Sequence, residues 1–417
     1  MESKIKDRFR ICPVPPGSRT GLNLGLKPRP IFMAVSLAFI LTTFSLVMQP
    51  RIHALPPPPP PVIPHAPIAI NGDADFSDTA LLEGWLGDGS PENPYMIDRL
   101  DIDIGGAYDR CISISNTRVS FIISNCNLTG AYFGIRLENV ANGELVNNTC
   151  SSSNTGIFLQ ESDSNILANN TCTGNSDCGI MFDNSDSNIA YNNTCNTNAY
   201  AGIYSISSRS NTVVNNTCSS NHIHGIVLHF SGFITMVNNT CIGNGHYGIG
   251  LGYSHNNTVV NNTCNSNTIV GIELQYSNYT TIANNICSHQ NLGIFTYKSK
   301  LNTLVNNICN NNDGGIVLEN SLSSVVVSND CSSNDIGIGL TFSDSNTVTH
   351  NNCSNNIIGI DIFNSYNNNL YDNDFSGTEY DIIDESDPVD PVNPEDLEPI
   401  ITVLLGTGWR VPSCRGM

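Results

Sequence analysis

Apolar and polar residues alternate in short runs along most of the chain, and each run ends in a corner rich in Asn, Ser and Gly. The repeating unit reads G-I-x-L-x-x-S-x-x-N-x-V-x-N-N-T-C-x-x-N and recurs about a dozen times. The alternation has the period of two that is typical of strands, and no copy has the apolar spacing of a helix. Each unit therefore predicts three short strands joined by tight corners.

One cysteine in each unit sets the period of the repeat. Successive cysteines lie 24, 22, then five times 23 and three times 22 residues apart, and Phe375 follows in the same place. The cysteines are Cys126, Cys150, Cys172, Cys195, Cys218, Cys241, Cys264, Cys287, Cys309, Cys331 and Cys353. A period in the twenties indicates a solenoid of stacked coils. Because leucine-rich and hexapeptide repeats have other patterns, we predict an all-β right-handed parallel β-helix of about 12 coils, with 22–23 residues per coil.

Stacking of like residues predicts columns that run through all the coils. Two of them consist of inward Asn side chains, one from Asn148 to Asn373 and one from Asn175 to Asn356, with Gln290 as the one substitute in the second. Buried amides must be paired, so we expect hydrogen-bonded Asn ladders. The cysteine column has three interpretations: tight packing, disulfides or thiolate metal sites. Packing is favoured, because Cβ atoms one strand spacing (about 4.8 Å) apart lie beyond disulfide range.

The sequence divides into six regions. They are a basic leader (1–30), an apolar segment (31–48), a Pro-rich linker (49–67), an amino-terminal cap (68–110), the β-helix repeats (111–378) and an acidic, Pro-containing tail (379–417). The uncharged apolar segment follows a basic flank, so it predicts a signal-anchor or a signal peptide that exports the rest of the chain. The cap, with Phe76, Trp85 and Tyr95, is expected to cover the open end of the coils.

The charge of the chain narrows its class of partners. The sequence has 37 acidic and 17 basic residues, a formal net charge of −20, which excludes nucleic acid as a partner. Together with the export signal, this balance predicts an extracytoplasmic protein of the cell surface, either membrane-anchored through its N-terminal segment or secreted. Carboxylates are paired at Asp73 and Asp75 and at Asp101 and Asp103 and could bind calcium, but solvated loop charge is the favoured explanation.

Three histidines form the candidate metal site. His222 and His224 occupy one corner, and His246 takes the corresponding corner of the next coil. Imidazoles this close together would suit copper or zinc, whereas exposed turn histidines are the plain alternative. No cofactor is otherwise expected.

The candidate binding stripe consists of the outward residues between Ile and Leu of the GIxL strand in four consecutive coils. Its members are Phe158, Met181, Tyr204 and Val227. Sugar rings and protein partners both pack on such apolar faces, and packing covered by the protein itself is the alternative. Clustered acids or a basic residue beside acids would indicate catalysis on these coils, but residues 139–386 contain only three Lys or Arg and scattered acids. We therefore predict no catalytic residue.

The entry sequence GDGSPENPYMI, followed by GIxLxxSxxNxVxNNTC coils, resembles the NosD-like right-handed β-helix proteins of the pectin-lyase-like superfamily over residues 68–378. The resemblance implies carbohydrate binding, polysaccharide cleavage or, in the NosD branch, a role in copper-site maturation. We interpret the chain as an exported surface protein with a binding or structural role, whose partner is a polysaccharide or a cell-surface protein. A copper-handling protein is the first alternative, and a polysaccharide lyase or hydrolase is the second.

Overall fold

The computed structural model describes residues 62–106 and 109–386. The basic leader, the apolar segment, the linker up to residue 61 and the tail from residue 387 lie outside the described residues, and so do the predictions of export and membrane anchoring that rest on the N-terminal segment. Within the two described ranges, no helix combines the length and the apolar character that crossing a membrane requires.

Three parallel sheets run along the solenoid. The long sheet has 14 strands: Ile68–Asn71, Arg110–Thr117, Phe133–Val140, Thr155–Gln160, Cys178–Asp183, Ala201–Ile206, His224–His229, Tyr247–Gly252, Val270–Gln275, Leu292–Tyr297, Gly314–Glu319, Ile336–Thr341, Ile358–Phe363 and Tyr380–Glu385. The second sheet has 13 strands: Tyr95–Asp98, Phe121–Ser124, Gly143–Val146, Ile166–Ala168, Ile189–Tyr191, Thr212–Val214, Thr235–Val237, Thr258–Val260, Thr281–Ala283, Thr303–Val305, Val325–Val327, Thr347–Thr349 and Asn369–Tyr371.

The short sheet has five strands and then narrows. Its strands are Ile63–Pro64, Leu100–Asp103, Asn127–Thr129, Thr149–Ser151 and Thr171–Thr173. Beyond Thr173 this face continues as single parallel bridges, beginning with the bridge from Thr171 to Thr194. The coil count exceeds the predicted dozen because the cap region contributes a strand to each face as well. The predicted all-β right-handed parallel β-helix is confirmed.

Neighbouring coils stack in register, like on like. Ile157 pairs with Ile180, and Phe158 pairs with Met181. The Ile and Leu of GIxL fill the core, and the residue between them points to the outer face of the long sheet. The cysteine column lies in the core, where its thiols are buried and form no disulfides. The prediction that Cys126 is the first member of the cysteine column was wrong, because Leu128 is the residue that pairs with Cys150 in the preceding coil.

The Asn ladders are present throughout. In the first column, the Asn216 backbone N–H and side-chain amide both donate to Asn239 Oδ1, at 2.9 and 3.0 Å. The Asn239 amide in turn donates to Asn262 Oδ1 and to the Val213 carbonyl, both at 2.9 Å. The same arrangement recurs from Asn148 to Asn373. Each inward Asn thus satisfies backbone groups that the corners would otherwise leave unpaired.

The corners turn through left-handed backbone conformations. The first Asn of the Asn-Asn-Thr triplet, as at Asn215 and Asn238, has a φ of 56° or 55°. Asn tolerates this region better than most residues because its short polar side chain bonds locally. One Asn of each pair therefore makes the turn, and the next Asn points inward to the ladder.

The cap begins with the helix Asp73–Glu83, which is the one α-helix in the described ranges. The Asp73 carboxylate accepts hydrogen bonds from Thr117 Oγ1 at 2.6 Å and from the Arg118 N–H at 3.1 Å, so this acid anchors the helix to the first coils. Phe76 is fully buried and stacks on Tyr95 with ring centroids 5.0 Å apart. The aromatic residues of the region predicted as a cap thus pack over the end of the core.

Candidate functional site

The predicted binding stripe lies on the outer face of the long sheet. Phe158, Met181, Tyr204 and Val227 pair in sequence along successive strands and form a cluster separate from the core. Each is at most 3% exposed. The covered packing given above as the alternative therefore describes these side chains, and a binding role for the stripe stays a prediction.

The structure brings two of the three predicted metal ligands together. The ring centroids of His224 and His246 are 5.6 Å apart, and His224 also stacks on Tyr247 at 4.8 Å. Burial lowers the pKa of His224 to about 3. Burial, with a contribution from His222, also lowers the pKa of His246. These imidazoles are therefore neutral at pH 7, as metal ligation requires.

Across residues 62–106 and 109–386, however, no group of three or more His, Cys, Asp or Glu side chains is placed to hold a metal ion. The carboxylates proposed for calcium have other partners. Asp75 accepts a hydrogen bond from the Asn71 N–H at 2.7 Å, and Asp103 accepts one from the Gly105 N–H at 2.9 Å. The three-histidine site for copper or zinc and the calcium site at the paired carboxylates therefore stay predictions.

An exposed aromatic ladder follows the corner after the long sheet. Phe230, Tyr253 and Tyr276, which we call the turn ladder, occupy the same position in three consecutive coils. Their ring centroids are 5.2 and 4.7 Å apart, and both pairs are stacked. Phe230 is 53% exposed and Tyr253 is 43% exposed. Phe230 and Tyr253 therefore form an accessible aromatic surface, and Tyr276 lies half-buried beside them.

The backbone at the turn ladder is strained. Phe230, Tyr253 and Tyr276 have φ values of 50°, 50° and 49°. Most other coils place a small polar residue here: Asn116, Asn139, Asn184, Ser207, Asn320 and Asn364. A bulky side chain in this left-handed region costs roughly 1–2 kcal/mol relative to the right-handed one. Because the left-handed corner recurs in the other coils, the bulky side chains rather than the backbone distinguish the turn ladder.

Cationic side chains lie beside the turn ladder. Lys298 occupies the next place in the same column, and its Nζ lies 5.7 Å from the Tyr276 ring centroid and 5.4 Å from that of Tyr297. Lys300 follows on the same corner and is exposed. Ammonium groups over aromatic faces are attracted by the ring quadrupole. The corner thus combines apolar rings with positive charge.

A buried carboxyl group lies on the adjacent sheet face. Glu273 is 2% exposed, its Oε2 has no hydrogen-bond partner, and Tyr247 hydrogen-bonds to the carboxyl group. Burial raises the pKa of Glu273 from 4.5 to about 8, and the bond from Tyr247 opposes this shift only in part. Glu273 is therefore protonated at neutral pH.

The protonation of Glu273 predicts a pH-dependent stability. Between pH 4.5 and 8 the unfolded chain has lost this proton and the folded chain retains it, so the free energy of unfolding falls as pH rises. We expect Glu273→Gln to remove this fall, at up to about 1.4 kcal/mol per pH unit. Denaturant unfolding of both proteins at pH 4 and pH 8 measures the effect. A difference between variant and wild type that is equal at both pH values would contradict the prediction.

Family models match most of the described coils. The model described as "Right handed beta helix region" matches residues 101–241 and 189–288, and the model described as "Periplasmic copper-binding protein (NosD)" matches residues 265–390. The predicted histidine ligands lie outside the second match. A comparison with curated proteins gave no significant match.

Two solved structures illustrate the shared fold. The A-module of the mannuronan C-5 epimerase AlgE6 from Azotobacter vinelandii is 14% identical, with a TM-score of 0.53, over 73% of this chain and 93% of that one. The periplasmic alginate epimerase AlgG is 16% identical, with a TM-score of 0.53, over 75% of this chain and 85% of that one. At these identities the likeness concerns the fold alone.

Proposed function

The chain is a NosD-like right-handed β-helix repeat protein, and we propose that it acts outside the cytoplasm as a polysaccharide-binding surface. The observation that carries this proposal is the turn ladder, in which three strained aromatic residues occupy places that most other coils give to Asn or Ser. Packing of the main core does not require these rings, because Phe230 and Tyr253 are exposed and the half-buried Tyr276 packs only against the outer cluster that contains Tyr247 and Tyr297.

Stacked rings suit an extended sugar chain better than a globular partner. The rings repeat at the coil spacing, so they form a narrow apolar ridge parallel to the solenoid axis. The C–H groups of successive sugars can pack along such a ridge, while the hydroxyl groups of Tyr253 and Tyr276 offer hydrogen bonds at its edge. A protein interface would normally require a broader apolar patch with a polar rim.

Two further observations support the proposal. The matched family is described as periplasmic, which agrees with a role outside the cytoplasm. The two structures of similar fold are named as enzymes of mannuronan and alginate, so this architecture accommodates polysaccharides in other proteins. The low identity means that the ligand of this chain must be argued from its own residues.

Removal of the turn ladder should abolish most polysaccharide binding. We expect the triple substitution Phe230→Ala, Tyr253→Ala and Tyr276→Ala to weaken binding at least about tenfold, because truncation of central aromatic contacts commonly costs more than 1 kcal/mol each. Wild type and variant are compared on a broad panel of immobilised polysaccharides, with circular dichroism as the check on folding.

The matched control is the pair Phe342→Ala and Phe363→Ala. These two rings contact each other at 5.5 Å between centroids, and Phe342 occupies the same corner position in a distant coil, with a φ of 48°. This variant should bind as wild type does. Absence of binding by the wild type across the panel, or equal binding by the triple variant, would overturn the proposed function.

A further inference from the structure

Charge is distributed very unevenly along the solenoid. Residues 187–312 contain one of the 37 acidic residues of the chain, Glu273, although they make up almost a third of its length. The same stretch, which we call the central band, contains Arg209, Lys298 and Lys300, the three basic residues found between 139 and 386. Three cations and one acid give the central band a formal charge of +2, within a chain whose total is −20.

The cations of the central band lie at the two ends of the turn ladder. Backbone bonds from Phe230 N to Gly252 O and from Tyr276 N to Tyr297 O show that the ladder positions stack coil upon coil. Lys298 is the next member of this column, and Ser207 is the member that precedes Phe230.

Arg209 follows Ser207 on its corner, as Lys300 follows Lys298, and a bridge to Gly232 fixes its place beneath the ladder. Arg209 and Lys300 are both exposed and lie four coils apart, which is about 19 Å at a strand spacing of ~4.8 Å. One corner of the solenoid therefore presents a cation, three aromatic rings and two further cations in that order.

No ionised acid opposes these cations within the central band. Glu273 is its one carboxyl group and is buried on the sheet face, where it holds its proton at neutral pH. The nearest acids along the chain are Asp186 and Asp313, which bound the band, and the buried Glu319 pairs with Tyr297 from the next coil, beside Lys298. Asp186 accepts a hydrogen bond from the Arg209 N–H at 2.6 Å, so it lies at the outer end of the cationic and aromatic corner.

We propose that the turn ladder selects acidic polysaccharides, with Arg209 at one end and Lys298 and Lys300 at the other as the residues that determine this selectivity. The inference rests on the proposed function and adds the class of ligand to it. The sugar rings pack on the aromatic residues, and the anionic substituents of the same chain pair with the cations at either end. The strong negative charge of the rest of the molecule keeps other parts of an acidic polymer away, which confines it to this corner.

Dextrans that share one backbone and differ in charge test the inference. Neutral dextran, carboxymethyl-dextran and dextran sulfate are titrated against the full-length protein by biolayer interferometry at low and high salt. We expect one or both charged dextrans to bind at least about tenfold more tightly than neutral dextran, and we expect this preference to decrease with salt. The carboxymethyl and sulfate arms show which acid group the corner prefers.

The triple substitution Arg209→Gln, Lys298→Gln and Lys300→Gln should lower the ratio of the affinities for charged and neutral dextran by at least about tenfold. Arg136→Gln, a cation outside the central band that pairs with Glu138 at 2.7 Å, is the control and should leave the preference unchanged. Equal binding of neutral and charged dextrans, no binding of any dextran, or a triple variant that retains the preference would overturn the inference. The proposed function is tested separately, by the polysaccharide panel and the aromatic variant. A protein that binds neutral glycans through the turn ladder would keep the proposed function and lose only the inferred preference for acidic ones.

Discussion

Replacement of a single inward asparagine, Asn239→Leu, is expected to lower the free energy of unfolding by several kcal/mol. The variant keeps the number of side-chain heavy atoms but removes the acceptor of the Asn216 backbone N–H, and the Asn216 amide and the Val213 carbonyl each lose one hydrogen bond. A buried polar group left unpaired costs about 1–3 kcal/mol and each of the two other lost hydrogen bonds about 0.5–1.5 kcal/mol, so roughly 2–6 kcal/mol is expected in total. Denaturant unfolding followed by circular dichroism measures the change.

The preceding residue provides the control for this experiment. Asn238 is exposed and makes the turn with a φ of 55°, which Gly adopts without strain. Asn238→Gly should therefore change the free energy of unfolding by less than about 1 kcal/mol. If the two neighbouring substitutions had equal effects, the ladder would not be the source of stability that its hydrogen bonds indicate.

A methyl group added at the Gly of the GIxL strand should be almost as damaging. A Cβ atom on Gly225 would collide with the carbonyl oxygen of Gly248 in the next coil and would lie 2.9 Å from Cys241 Cβ. Neither neighbour can move easily, because both belong to coils held in register on two sides. We expect Gly225→Ala to lower the free energy of unfolding by about 3 kcal/mol, at the upper end of the usual range for overpacking.

Gly339→Ala is the control, because it tests whether an added methyl group at any strand glycine destabilises the fold as much as at Gly225. Gly339 is on the outer face of the long sheet, where an added Cβ would meet Val317 Cγ2 at 3.6 Å, an ordinary contact. This substitution should be neutral or slightly stabilising, since Ala loses less backbone freedom than Gly on folding. Thermal unfolding of both variants measures the contrast, and a large loss at Gly339 would show that the clash at Gly225 is not the cause.

The architecture could be predicted from the sequence because every coil repeats the same information. Once the period was known, stacking of like residues determined the register, and the Asn ladders and the place of Phe375 followed from it. The single error in the column arose at the first spacing, which is 24 residues. Leu128, which lies 22 residues before Cys150, takes the place that Cys126 was expected to fill. Cys126 instead stacks at the head of the first Asn ladder and donates its N–H to Asn148 at 3.1 Å.

A third Asn column and a Ser column were present in the repeating unit but were not recognised as ladders. Asn188 N–H donates to Asn211 Oδ1 at 2.7 Å, and Ser185 N–H donates to Ser208 Oγ at 2.9 Å. The S-x-x-N part of the unit was the signal for both. Three positions in the third column are not Asn, namely Ile234, Thr280 and Ser324. The first two each follow an exposed aromatic residue in a coil of the turn ladder.

The exposure of outward side chains could not be predicted from alternation. A period of two places Tyr204 outside the core, yet it is 1% exposed, whereas Tyr253, which lies in the corner just after the alternating strand, is 43% exposed. The difference depends on what surrounds each ring on its own and neighbouring coils, and no pattern within one unit records that. The turn ladder did leave a trace in the sequence, since aromatic residues occupy the left-handed corner position that most other coils give to Asn or Ser.

In-register stacking also bears on how such a chain can change length over generations. Every coil offers its successor the same set of donors and acceptors, so the groups that Asn175 presents to Asn198 match those that Asn221 presents to Asn244. Gene duplication or loss of one whole 23-residue unit would therefore leave compatible surfaces at the new junction. Insertion of part of a unit would instead move polar residues into the core, so changes in length are restricted to whole coils such as the 22- and 23-residue units already present.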